Sequence, residues 1–198
     1  MSFSDFTLKR IENDFGIVSQ TADLHAQARP VPVPAWLEDQ LKRGLQLPLL
    51  SEKARGELIV MPVLLACREM SGGTITIFSG ARMDVDPSVG LVGECDFLLA
   101  RTDPVPFVRS PFVAIVEAKK GDIEAGLGQC VAQMIGARML NEQDGRGSNA
   151  IHGCVTTGED WQFLRLDGSV AAIDRRRYYF NDLPGILGVF RVILSPAS

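Results

Sequence analysis

Histidine and cysteine are scarce in this chain, with 2 His and 4 Cys among 198 residues. Cys67, Cys95, Cys130 and Cys154 lie singly in apolar segments without the spacing of a metal site, so no zinc finger is present and the thiols read as reduced core groups of a cytoplasmic protein. His25 and His152 are isolated from one another and from other ligand types, and each reads as structural. Long apolar runs are also missing. The best, Leu58 to Cys67, has ten residues and contains Pro62, far short of the roughly 18 that span a bilayer, so no membrane partner is expected. The first ten residues, Met1 to Arg10, lack the apolar centre of a signal peptide. Positive charge is in deficit, 20 Lys and Arg against 24 Asp and Glu, net −4. That argues against a dedicated, tight DNA binder, but not against a nuclease, whose carboxylates a metal offsets and whose basic patch is local. No internal repeat, low-complexity tract, helicase motif or specificity module is visible.

What is present suits one domain spanning 1–198: 46% hydrophobic residues supply a core, and 22% charged residues cover it. Residues 1–50 form an N-terminal extension whose Pro-rich link, Arg29 to Pro34, precedes a short amphipathic helix from Trp36 to about Leu45. Residues 51–157 carry the charged motifs. Residues 158–198 hold strand candidates at Trp161 to Leu166, Val170 to Asp174 and Arg177 to Phe180. They end in Leu183 to Leu194, a helix apolar nearly all round with Pro184 in its first turn. Such a helix is either deeply buried or shared with a second subunit, which leaves a homodimer open.

The informative segment is Pro111-Phe-Val-Ala-Ile-Val-Glu-Ala-Lys119. It reads as a strand apolar on both faces, which belongs inside a covered sheet. Alternation puts Glu117 and Lys119 on one face behind Val113 and Ile115, with Phe112, Ala114 and Val116 on the other. A carboxylate and an ammonium at such a place must be paired or hold a metal. Upstream, Gly90 to Ala100 is a second apolar strand with Asp96 in its centre. Asp96 shares a face with Glu94 and Leu98, and Cys95, Phe97 and Leu99 take the other. The break at Thr102 to Pro106 lets the two strands pair, which brings Asp96 beside Glu117. Two converging carboxylates with a lysine suit a hard divalent cation that keeps several waters.

These residues resemble the PD-(D/E)XK phosphodiesterases, the restriction-endonuclease-like superfamily. Gly93-Glu-Cys-Asp96 resembles the Asp motif, with Cys95 where proline often stands, and Val116-Glu-Ala-Lys119 resembles the Glu-x-Lys motif. The surrounding order is similar too: an amphipathic helix from Ser51 to Cys67, a strand candidate Gly73 to Phe78, the two motif strands, and a helix opened by Asp122. Gln129-Cys-Val-Ala-Gln133 on that helix resembles the Gln-x-x-x-Tyr of the RecB-like and type I restriction branches, with glutamine replacing the tyrosine. The resemblance covers roughly Ser51 to Thr157.

The resemblance implies an α/β (α+β) fold, a restriction-endonuclease-like core in which helices flank a central mixed β-sheet in αβββαβ order. It implies a divalent-metal-dependent nuclease acting on nucleic acid, DNA before RNA, with Mg²⁺ or Mn²⁺ as cofactor. Asp96, Glu117 and the main-chain carbonyl of Ala118 would hold the metal, and Lys119 would orient or help deprotonate the attacking water. Glu52 sits where related nucleases carry a helix acid that completes the metal shell. Glu57 is its rival, about 140° away around a regular helix, and the helix dipole alone would favour acids there. Gln129 and Gln133, one turn apart with Gly126 and Gly136 on their stripe, suggest a polar seam approached by backbone or phosphate. Ile123, Leu127, Val131 (or Cys130) and Met134 would form that helix's core face. Arg175-Arg-Arg177 with Tyr178 and Tyr179 could contact phosphate and bases, or form a charge-protected edge strand with aromatics turned inward. An alternative function is a catalytically silent domain of the same fold that serves as an interaction module.

Overall fold

Strand β4 (Phe112–Ala118) lies inside a seven-stranded mixed sheet, as its two apolar faces require. The computed structural model describes residues 1–147 and 150–195; the last three residues of the C-terminal part fall outside them. β4 pairs antiparallel with β3 (Leu91–Ala100) and parallel with β5 (Ile151–Thr156). Outside β3 lies β2 (Thr76–Asp86). On the other side follow β6 (Asp160–Asp167), β7 (Val170–Tyr179) and β1 (Val18–Ala22), the last parallel to β7. The order across the sheet is β1-β7-β6-β5-β4-β3-β2.

Helices cover both faces. On one face α1 (Leu8–Phe15) and α5 (Ile123–Gln143) pack on Ile115, Leu98, Ile151, Val155 and Leu164. On the other, α2 (Ala35–Gly44), α4 (Met61–Met70) and α6 (Leu183–Leu194) cover Val116, Leu99, Cys154, Phe163 and Tyr178. The apolar α6 is mostly buried within its own chain, so it needs no second subunit to cover it. No described helix is long and apolar enough to cross a membrane.

The first 22 residues are integral rather than an appendage. β1 extends the sheet, and α1 lies so close on α5 that a Cβ at Gly128 would overlap the main chain of Phe6 and Thr7. The expected amphipathic helix from Ser51 is one helical path with an insertion: α3 (Glu52–Arg55), a π-helical turn (Gly56–Val60) and α4. Met61 N–H reaches back to the Gly56 carbonyl, and Pro62 has no N–H to offer Leu58. The Leu58 carbonyl turns instead towards α2, where a Cβ at Gly44 would lie 2.8 Å away.

Four expectations about the strands are corrected. β2 begins at Thr76 and runs to Asp86, because Gly72 and Gly73 take left-handed conformations that finish the preceding turn. Phe112 joins the α5-side core and Val113 the opposite one, because the ladder moves one residue on β3, Leu99 to Ala100, against two on β4, Ala114 to Phe112. Cys95 packs on the α5 side rather than with Phe97. The β2–β3 pair is irregular at Gly80, where φ is +59°. Lastly, Val170 to Tyr179 is one strand, not two, and β1 and β6 flank its first half.

Candidate active site

The β3–β4 register aligns Phe97 with Val116, so the next pair along the ladder is Asp96 and Glu117, both at the same end of the sheet. The Ala118 N–H donates to Asp96 Oδ2 at 2.7 Å, which fixes that carboxylate across the strand gap. The side chain reaches the Glu117 carboxyl on one side and borders a cavity of about 550 Å³ on the other. Glu52, Glu57 and Glu94 line the same cavity, with Lys53 the only cation on its wall. Four carboxylates against one ammonium make this a space that attracts cations and repels unshielded phosphate.

Glu117 lies deeper, 3% exposed, and faces α5. Three donors surround it. Lys119 Nζ donates to Oε1 at 2.8 Å, Gln129 Nε2 to the same oxygen at 2.5 Å, and Gln133 Nε2 to Oε2 at 2.9 Å. Lys119 also donates to Gln129 Oε1 at 3.1 Å, so the ammonium, the amide and the carboxylate close a ring of contacts. The ring depends on Gly126. A Cβ there would lie 3.1 Å from Lys119 Cγ and 2.7 Å from Val155 Cγ1, so only glycine leaves a slot for the lysine stem. Asp122 caps the helix that carries the glutamines by accepting from Glu124 N–H, and Lys119 N–H donates to the Thr156 carbonyl at 2.7 Å.

The electrostatics follow from burial. Loss of water pushes the Glu117 carboxyl up to about 7, the Asp96 charge adds to the rise, and the Lys119 ammonium opposes it. Asp96 is also raised by burial, against the stabilising Ala118 N–H and Lys119. Burial works against the Lys119 charge, but the Glu117 carboxylate outweighs it and the lysine is held as an ammonium beyond its ordinary range.

Glu52 Oε1 accepts from the Lys120 N–H at 3.2 Å, and its charge is felt at Asp96. Glu57 instead stands 3.9 Å from the exposed Lys53. Among the described residues no three His, Cys, Asp or Glu side chains gather into a metal-holding group. A cation would therefore rest on Asp96, Glu117 and the Ala118 carbonyl, with water completing its shell. The hard oxygen donors and the acidic cavity fit such an ion.

Two sequence expectations change here. Gln129 and Gln133 form a polar seam that is not open to phosphate; Gln133 is fully buried and reaches the Glu94 carbonyl at 3.5 Å, and both amides donate to Glu117. Tyr178 and Tyr179 do not act as a pair either: Tyr178 is buried beneath Arg176, and Tyr179 is 51% exposed. Arg175, Arg176 and Arg177 each meet a carboxylate, Asp23, Asp182 and Glu124 respectively. Sequence reading missed Gly80, which lies across from Asp96 and two residues beyond the strand candidate that ended at Phe78. No family model matches the chain, and no curated protein is significantly similar to it.

Proposed function

We propose that the protein is a divalent-metal-dependent nuclease of the restriction-endonuclease-like superfamily, hydrolysing phosphodiester bonds of nucleic acid, with DNA as the first candidate. The observation that carries this reading is the meeting of Asp96, Glu117 and Lys119 at the ends of two paired strands beside an acidic cavity. The order of elements supports it: a helix bearing Glu52, the β2–β3–β4 meander, α5, then β5 parallel to β4. Mg²⁺ or Mn²⁺ held by Asp96, Glu117 and the Ala118 carbonyl, with Glu52 through water, would polarise the phosphoryl oxygen and acidify a bound water.

The chain's own residues do the rest. Lys119, held as an ammonium, is suited to orienting the attacking water and stabilising charge on the phosphoryl oxygens rather than to taking a proton. Gln129 and Gln133 hold Glu117 in position, and Gln129 also tethers Lys119. The cavity's negative charge makes phosphate binding depend on the cation. Labelled single- and double-stranded DNA and RNA, incubated with the protein and Mn²⁺, test the activity. Cleavage by the parent and none by Lys119→Ala supports the reading, whereas equal cutting by both refutes the assignment.

A second reading, a silent interaction module of the same fold, draws on one observation: both oxygens of Glu117 already have protein partners. It expects no cleavage and no response to Mn²⁺.

A further inference from the structure

His25 and His152, far apart in the chain, meet under a strap of residues that the proposed chemistry does not use. Their ring centroids are 6.3 Å apart, and His25 meets Phe163 edge-on at 5.7 Å. Both His25 ring nitrogens, His152 Nδ1 and Asp174 Oδ2 are buried, and among the described residues they have no hydrogen-bond partner. Buried polar atoms are nearly always bonded, so four unmet ones around this pair call for a physical explanation.

The strap, residues 23–34, runs from the end of β1 to α2 across the second core. Ala28, Val31 and Val33 pack on that core. Val31 N–H donates to the Pro184 carbonyl at 2.9 Å, and the Arg191 guanidinium donates to the Arg29 carbonyl at 3.2 Å. These ties hold the strap's later half to α6. At its start His25 is 6% exposed, and the only ion pair there, Asp23 with Arg175, lies on the surface. His25 is therefore the strap's buried contact with the sheet, meeting His152 and Phe163.

We propose that His25 and His152 form a proton-operated latch, which keeps the strap 23–34 closed over the sheet while both are neutral and releases it when they take up protons. The charged groups facing the pair are Asp174 on β7 and Arg165 and Asp167 on β6. Asp174 can accommodate one proton on His25, since its Oδ2 is free and its Oδ1 is held by the Arg176 N–H. A second proton meets the first imidazolium and the Arg165 guanidinium, so two charges cannot stay buried together.

Burial lowers both histidines; Asp174 partly opposes this at His25, while His25 and Arg165 lower His152 further, to about 4. With the strap open, His25 and the uncovered His152 would titrate near 6.5. Opening therefore takes up protons: closure is complete above pH 6.5 and is lost as the pH falls towards 4. Release would uncover the edge of Phe163 that His25 meets.

Hydrogen exchange of the full chain, followed by mass spectrometry from pH 7 to 4.5 and corrected for intrinsic rates, tests the latch. Protection of 26–34 should fall about tenfold per pH unit for each proton taken up, before β4 and β5 lose protection. His152→Gln and His25→Phe should each reduce the slope to that of one proton, and the double variant should remove it. Flat corrected protection, or loss only together with the sheet, overturns the proposal. Should the variants fail to fold, histidine ring-proton titration of the parent decides: both midpoints below 6.5 support the latch, and either at or above 6.5 overturns it.

Discussion

Replacing Glu117 by glutamine isolates the cost of keeping a carboxylate at this site. Glu117 is buried against α5, and its carboxyl is pushed up to about 7 by desolvation and by Asp96, despite Lys119. A raised carboxyl means that the folded protein holds a proton that the unfolded chain releases at lower pH. Stability from this residue is thus greatest below its unfolded value of 4.5 and declines as the pH rises to about 7. At about 1.4 kcal/mol per tenfold, the interval corresponds to about 3 kcal/mol. An amide in place of the carboxyl cannot titrate, so the stability of Glu117→Gln relative to the parent should improve by about 3 kcal/mol between pH 4.5 and 8. His25 and His152 titrate in both proteins and cancel in the difference. Urea unfolding followed by the fluorescence of Trp161, which is fully buried, measures it at 25 °C with chelator present. A difference that does not change with pH would show that Glu117 is not held above its ordinary range, and the account of the site would fail there.

Other consequences are equally direct. Lys119→Ala leaves a buried carboxylate without its ion partner; the loss should reach about 3 kcal/mol at pH 8 by urea unfolding and be smaller at pH 5, where Glu117 is protonated. Gly126→Ala should cost about 1–3 kcal/mol and lower cleavage more than ten-fold, because the new methyl displaces the Lys119 stem. An unchanged rate would show that the lysine's position is not set there. Asn141 bridges both main-chain groups of Phe112, accepting at 2.7 Å and donating at 2.8 Å, so Asn141→Ala should lose about 2–4 kcal/mol in thermal or urea unfolding.

The motif strands were legible because alternation on a doubly covered strand leaves few alternatives: Ile115, Glu117 and Leu98 lie where the pattern put them, whereas Asp96 borders the cavity beside Phe97. Phe112, Val113 and Cys95 did not follow it. A bulge and a left-handed glycine change which face a residue takes, and neither shows in a count of apolar positions. The N-terminal segment was misjudged for a different reason. β1 reads Val-Ser-Gln-Thr-Ala, too polar and short to announce itself, and its place depends on pairing with β7, about 150 residues away. The helix glutamines stand out in the sequence, but their task is not readable there. One helical turn places two amides side by side, yet only the packed sheet shows that Glu117 lies opposite both. The histidines looked isolated for the same reason, since β5 and the strap bring them together from distant parts of the chain.

The central claim is that Asp96 and Glu117 together hold a divalent cation. Calorimetric titration of Mn²⁺ into the parent and into Asp96→Asn tests it most directly. Saturable binding by the parent, lost or weakened at least ten-fold in the variant, is the expected result. Equal binding by both proteins, or no binding by either with or without a nucleic-acid substrate, would contradict it.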